Sequence, residues 1–443
     1  MPLLCAVGGV AVASILALVP GLHIYNVAAF VVLASAGPGG VLPPDYLAML
    51  FVGMTTAYAM LNTIPSIFFS APDDSTVFIV LPGQKYLRQG RGFEAAVLSG
   101  VGSLGGIAVL GLLTPVAPML FPPLRTILQP HLHWILWTVI AYMFLSEWPK
   151  GSDRAPAGWR RWWDAWKSLV AGLATFLLSG VLGLILLYRT LVPVTVAYQS
   201  LLPAFVGLFA VPWNLQNLLS QVELPEQHVA TSIDASTGLV VRGTLAGALG
   251  GLFAAFFPVV TGGIGGFIAG HATAQRDDRL FILSQGASKI VYYVGGFLLF
   301  FVPQLHLKRG GMAWMLSSLS GAGDFVRLGT PRTTYYTVVA AVVLSGVLSF
   351  FLLLLISRLA IRLVVAVPYR RISAATLVLL LAMAVGVTGW GGLLICAVAT
   401  GIGLIPVLWG SRRTNCMGVL LLPIALNMAG VGGYVAGWLG LIR

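Results

Sequence analysis

The chain has 443 residues, 58% of them hydrophobic and only 9% charged, with 25 basic side chains against 13 acidic ones and a mean hydropathy of +0.94. A soluble domain carries about a quarter of its residues charged, so this composition excludes a secreted disulfide scaffold, a nucleic-acid binder and a large soluble catalytic domain. The net charge of +12 lies in short loops between apolar runs, where basic residues act as topology determinants.

Each bilayer crossing needs about 20 apolar residues, so the hydrophobic content supplies about 10–12 spans. This predicts an all-α, multi-pass protein of the cell membrane. In chain order the apolar segments run over 3–36, 46–81, 95–121, 132–148, 167–212, 239–272, 280–305, 334–368, 374–409 and 415–442. The first has no Lys or Arg before Val19, so it lacks the basic leader of a signal peptide and is expected to stay in the membrane. A 36-residue helix would be about 54 Å long against a hydrocarbon core of about 30 Å, so the longer segments must contain breaks or hairpins. Pro20 and Gly21 divide the first segment and Pro65, Pro72 and Pro82 the second. Pro258, with Gly262, Gly263, Gly265 and Gly266, divides the one at 239–272. Proline lacks a backbone donor and glycine tolerates unwound dihedrals.

Gly8–Phe30 and Gly243–Ala269 each carry a small-residue helix to a proline and then to glycine and polar residues. The echo predicts two repeats with discontinuous or re-entrant helices, inverted or parallel. It divides the chain into an N-terminal transmembrane repeat (1–157), an interfacial Trp/Arg linker (158–167), a second repeat (168–332) and C-terminal transmembrane helices (333–443). In the linker, GWRRWWDAWK places four tryptophans among cations, which suits the headgroup level. Paired breaks of this kind point half-helix N-termini at anions and unwound carbonyls at cations; glycine stripes that serve only close helix packing are the alternative.

A charge in hydrocarbon costs about 2.5–3.5 kcal/mol even on the mild insertion scale and asks for a reason. Asp73 and Asp74, beside Ser75 and flanked by apolar residues, are the candidates for cation coupling, through sodium or a proton; a surface turn is the alternative. Lys289 is the one basic residue between Leu280 and Leu305. It could neutralise an anionic substrate or snorkel to the interface. His23 and Asn26 follow the first break and Thr261, Gly262 and Gly263 the second, where backbone N–H groups can cradle an anion. Asn62 offers a neutral donor.

Residues 50–92 resemble the signature of the large permease subunit of tripartite tricarboxylate transporters. Leu61, Asn62, Ile64 and Pro65 match its LNIPG element with one inserted residue, and Arg88, Gln89, Gly90 and Arg91 match its RQGR loop. LVPGLH, from Leu18 to His23, is similar to the family's PGLG break, PVVTGG from Pro258 to its repeat, and RRTNCMGVLLLP from Arg412 to its archaeal branch. Ser66 stands where the family glycine would follow the proline, and Val259 replaces the glycine of the second pair. The resemblance adds Gly21, Pro65 and Ser66 to the substrate-site candidates. It implies a cation-coupled permease of di- or tricarboxylate-like anions working by alternating access, with a small membrane subunit and an extracytoplasmic binding protein as partners; a homo-oligomer stays open. PVVTGG also resembles the PGVSGG element of undecaprenyl-phosphate recycling translocases, so a lipid-carrier phosphate is the alternative substrate. A membrane enzyme acting on a lipid phosphate comes third.

Enzyme chemistry is weakly supported. No GxGxxG, P-loop or GxSxG element occurs, and Cys5, Cys396 and Cys416 form no CxxC pair. His131 with His133, Arg276–Arg279, and Glu223, Glu226, His228 and Asp234 are thin clusters. The expectation is no catalytic residue, no metal site and no cofactor beyond a coupling Na+ or H+.

Overall fold

The computed structural model describes residues 2–19, 22–36, 42–73, 75–148, 158–193, 200–220, 224–230, 232–273, 277–318 and 332–442. Among them there is no strand. In chain order the helices are α1 (Pro2–Leu16), α2 (Ile24–Ala36), α3 (Pro44–Leu61), α4 (Thr63–Phe68), α5 (Val80–Arg88), α6 (Gly92–Leu113), α7 (Ala117–Leu128), α8 (Leu132–Leu145) and α9 (Trp159–Tyr188). There follow α10 (Leu201–Leu219, with a π turn), α11 (Thr237–Phe256), α12 (Gly262–Ala272) and α13 (Asp278–Ile290), the last running through a π turn into α14 (Gly296–Phe301). The chain ends with α15 (Gly310–Ser318), α16 (Arg332–Ala366), α17 (Tyr369–Trp409), α18 (Gly418–Met428) and α19 (Gly432–Trp438).

Seven of these, counting α3 with α4 as one run, are long and apolar enough to cross a membrane. An eighth is reached if the stretch Arg413–Met428 and α19, bent by 115°, form one broken span. The polytopic all-helical reading stands with fewer full-length spans than the hydrophobic content suggested. The difference lies where apolar sequence is spent on short, broken helices.

By packing, the chain forms two units, each discontinuous in sequence: Met1–Ile127 with Gln221–Ser373, and Leu128–Ser220 with Ala374–Arg443. In the first, α3 is the most enclosed span, with 94% of its apolar window buried. It packs against α1 and α16, while α6, α11 and α13 pack on one another. In the absence of a hydrophobic drive within lipid, such helices associate by close approach at small residues. Gly53 of α3 lies on the Ala6 carbonyl of α1, and Gly247 of α11 on the Ser284 carbonyl of α13, leaving no room for a Cβ at either. In the second unit, α9 packs against α18 with Gly183 on the Val419 carbonyl.

Two of the long apolar segments are broken where their prolines fall. The first of these pauses at Asn62 between α3 and α4, then is non-helical over the described residues 69–73 and 75–79, a stretch that includes Pro72, before α5 resumes. The other ends α11 at Phe256 and restarts at Gly262, with Val259 at φ 63°, a left-handed conformation unfavourable for a β-branched residue. The new helices begin with side-chain caps. Thr261 accepts from the Ile264 N–H (3.4 Å) at α12, and Asp277 accepts from the Arg279 N–H (2.8 Å) at α13. At the C-terminal end of α11, the orphaned carbonyls of Ala254, Ala255, Phe257 and Val260 all accept from the Arg309 guanidinium. Arg309 reads from sequence as a loop charge, and in the fold it closes this helix end.

Candidate functional site

The centre of the first unit is organised around a lysine. Lys289, on the last turn of α13, is 1% exposed. Snorkelling to the interface therefore does not describe it. Its ammonium donates to Asn62 Oδ1 (3.1 Å), to the Met60 carbonyl (3.4 Å) and to the Thr63 hydroxyl, all at the junction of α3 and α4. That junction supplies acceptors because a helix end leaves carbonyls free of intrahelical partners.

The Asn62 amide faces two ways. While Oδ1 accepts from Lys289, Nδ2 donates to Asp73 Oδ2 at 2.9 Å. Lys289 and Asp73 are thus joined through one neutral side chain rather than by direct contact. Asp73 sits at the start of the non-helical stretch, and its carboxylate is densely solvated by the protein. Oδ1 accepts from the backbone N–H groups of Ser75 and Thr76 (both 2.9 Å) and from their hydroxyls (both 2.8 Å). Oδ2 accepts from Asn62, from the Tyr58 hydroxyl (2.9 Å) and from the Tyr293 hydroxyl (3.3 Å). Such a shell supplies charge-assisted hydrogen bonds to the carboxylate without Lys289 in contact with it.

The neighbouring residues buttress this arrangement. Ser66, buried in α4, donates to Thr76 Oγ1 at 2.8 Å. His23, just before α2, places Nε2 3.0 Å from the Tyr293 hydroxyl, and its ring lies against Tyr25 and Tyr58. Gly262 opens α12 directly against α13: a Cβ there would lie 3.0 Å from both Lys289 Cα and Tyr292 Cβ, and its carbonyl accepts from Ser288 Oγ at 2.7 Å. Ser70, at the beginning of the stretch, and Gln84 of α5 both bond the Tyr369 hydroxyl, at 3.0 and 3.1 Å.

Of the sequence candidates, His23, Asn62, Ser66, Asp73, Ser75, Gly262 and Lys289 fall in this one cluster. Thr261 caps α12 beside it and Gly263 is buried on the same turn. Pro65 is buried in the first turn of α4, and Asn26 lies in the first turn of α2 with its N–H on the His23 carbonyl (3.0 Å). Asn26, Pro65 and Gly263 make none of the hydrogen bonds between Lys289 and Asp73. Gly21 and Asp74 lie outside the described residues. Sequence reasoning missed Tyr58, Thr63, Thr76 and Tyr293. Two were within reach: Tyr58 stands four residues before Asn62 and Tyr293 four after Lys289, one helical turn away on the same face.

At one end of the unit, charges pair with each other. Arg279 binds Asp277 (2.8 Å) and Asp234 (2.5 Å), Lys85 binds Asp278, and Arg91 binds Glu94 (2.7 Å). The Arg279 hydrogen bond holds the Asp277 carboxyl below its usual range. The acidic-plus-His stretch before Asp234 straps the basic loop: the His228 N–H donates to the Gly90 carbonyl (2.8 Å), and Gln227 bonds Leu87 and Gly92. Gly90 adopts φ 76°, which favours glycine. Among the described residues no group of three His, Cys, Asp or Glu side chains converges as a metal site.

Compared with known proteins, residues 3–418 match the family model described as tripartite tricarboxylate transporter TctA family. An uncharacterized protein of Methanocaldococcus jannaschii is 24% identical over 433 residues, covering 96% of this chain and 98% of that protein. No solved structure matches.

Proposed function

The chain belongs to the tripartite tricarboxylate transporter TctA family, a transporter component and not an enzyme, and from that premise we propose that it is the permease of a cation-coupled system for organic anions of the di- or tricarboxylate class. The observation that carries this reading is the buried relay Lys289–Asn62–Asp73, a cation and an anion kept apart by one amide between broken helices.

The chemistry follows from competition for the ammonium. A substrate carboxylate reaching Lys289 takes a charge-assisted hydrogen bond in place of the neutral amide oxygen. Asp73 then lacks the cation it shared, and the driving cation, Na+ or H+, compensates it with help from Ser75, Asp74 being carried as a coupling candidate from the sequence alone. Substrate and cation favour each other because either alone leaves a charge uncompensated at depth. The residues taken to receive the anion are His23, Asn26, Asn62, Pro65, Ser66, Thr261, Gly262 and Gly263, with Gly21 carried from the sequence motif alone, and access alternates as one block rocks against the other. A small membrane subunit and an extracytoplasmic binding protein work with the chain in the cell membrane.

The test is uptake into proteoliposomes with Asp73→Asn. Gradient-driven accumulation of citrate or succinate is expected to disappear while exchange down a concentration gradient continues. Full concentrative uptake by that variant would remove Asp73 from coupling. Stabilisation of the purified protein by these acids, dependent on sodium or on pH, identifies the coupling ion. A ligand at 100 times its dissociation constant raises stability by about 2.7 kcal/mol.

A further inference from the structure

The second unit contains a partly buried arginine that the relay does not use. The turn Arg413–Met417 links α17 to α18. Arg413 stacks its guanidinium 3.3 Å from the Trp213 ring centroid of α10 and donates through Nη2 to Gln216 Oε1 at 3.0 Å. Its Nη1 is buried with no hydrogen-bond partner, and among the described residues it meets no carboxylate. Two further donors on the same helix are in the same state. Trp213, 8% exposed, has an unpartnered indole Nε1, and one turn on, Asn217, 4% exposed, has an unpartnered amide nitrogen. Glu147, an acid of the same unit, bonds the neighbouring turn: its Oε1 accepts from the Arg412 N–H (2.5 Å) and from Asn415 Nδ2 (3.3 Å). Buried donor nitrogens left without partners are costly unless an acceptor completes them, and at a guanidinium the fitting acceptor is an anion.

Depth identifies the anion. Trp409, at the end of α17, meets Trp163 edge-on at 6.2 Å, and Trp163 belongs to the tryptophan- and arginine-rich start of α9. Trp159, Trp162 and Trp409 are all exposed. An exposed aromatic belt interleaved with cations marks the headgroup region, where basic pockets between helices hold anionic lipid headgroups. We infer that Arg413, with Trp213 Nε1 and Asn217 Nδ2, forms a binding site for the phosphate of an anionic phospholipid.

The experiment uses the full chain, delipidated in detergent, then offered phosphatidylglycerol, phosphatidylcholine or inorganic phosphate, read by native mass spectrometry and by unfolding temperature. Phosphatidylglycerol should be retained and should raise the unfolding temperature, more than phosphatidylcholine or phosphate at equal concentration. Arg413→Gln should weaken retention roughly tenfold or more, as for loss of a hydrogen-bonded charge. Trp213→Phe keeps the stacked ring and removes only the donor, so it reports on the site even where Arg413→Gln fails to fold, with an expected weakening of about threefold or more. Arg160→Gln, an exposed cation of the same belt, should leave retention unchanged. Wild-type retention by Arg413→Gln or by Trp213→Phe overturns the site. Equal protection by phosphatidylcholine or by inorganic phosphate overturns the anionic-lipid assignment.

Discussion

Replacing Asn62 by leucine cuts the relay at its middle while nearly conserving volume. The substitution removes the 3.1 Å bond from Lys289 and the 2.9 Å bond to Asp73. Each involves a charged group and is worth about 1.5–3 kcal/mol, so the gross loss is about 3–6 kcal/mol. The leucine side chain, in a position 3% exposed, recovers about 1–2 kcal/mol by apolar burial. The net expectation is a loss of roughly 1–5 kcal/mol, visible as a lowered unfolding temperature of the purified protein. A double-mutant cycle sharpens this. Asp73→Asn and Lys289→Met should couple by about 1–2 kcal/mol in the wild-type background and by close to zero in Asn62→Leu, because contact networks show non-additivity that independent sites lack. A variant within about 0.5 kcal/mol of wild type, the ordinary range for substitutions away from such features, or an undiminished coupling energy would refute the relay.

Three further outcomes are expected. Val259→Gly relieves a left-handed valine costing about 1–2 kcal/mol against roughly 0.5–1 kcal/mol of added chain entropy, so the unfolding temperature should rise slightly while Val259→Ala stays below it; a destabilised glycine variant contradicts the strain. Gly53→Ala drives a Cβ onto the Ala6 carbonyl and should cost about 1–3 kcal/mol. Gly238→Ala, with open space around it, should be neutral or gain up to about 1 kcal/mol, and equal effects at the two sites would reject the close approach of α1 and α3. Asp277→Asn keeps the helix cap but loses the Arg279 pairing. Because the folded carboxyl titrates below its usual range, its contribution is present above about pH 4 and is lost as the pH falls through the lowered folded value. The pair is partly exposed, so the difference in stability from wild type should be at most about 1 kcal/mol at neutral pH and vanish in acid. A difference that grows on acidification reverses the sign and sinks the assignment.

Class and broad architecture were determined by the sequence alone, because the cost of exposing backbone and charge to lipid acts on every residue of a span. Low charge, mean hydropathy and proline placement suffice for an all-helical, multi-pass chain with interrupted segments, and the motifs from Leu61 to Arg91 and at Pro258 carry its family. Asn62, Asp73 and Lys289 also stand out one at a time, each a polar or charged residue in an apolar run. Their joining does not. Lys289 and Asn62 are separated by more than two hundred positions, and only the packing of α13 onto the junction of α3 and α4 decides whether the ammonium reaches that amide or snorkels away. The tertiary structure likewise shows which helices among the described residues are long and apolar enough to cross a membrane, since hydropathy counts apolar residues without distinguishing a continuous helix from a broken one. It decided too that Arg309 closes α11 and that Arg413 lies on Trp213, because a guanidinium's partner is chosen by which carbonyl or ring the fold brings within its reach, and spacing along the chain holds no record of that distance.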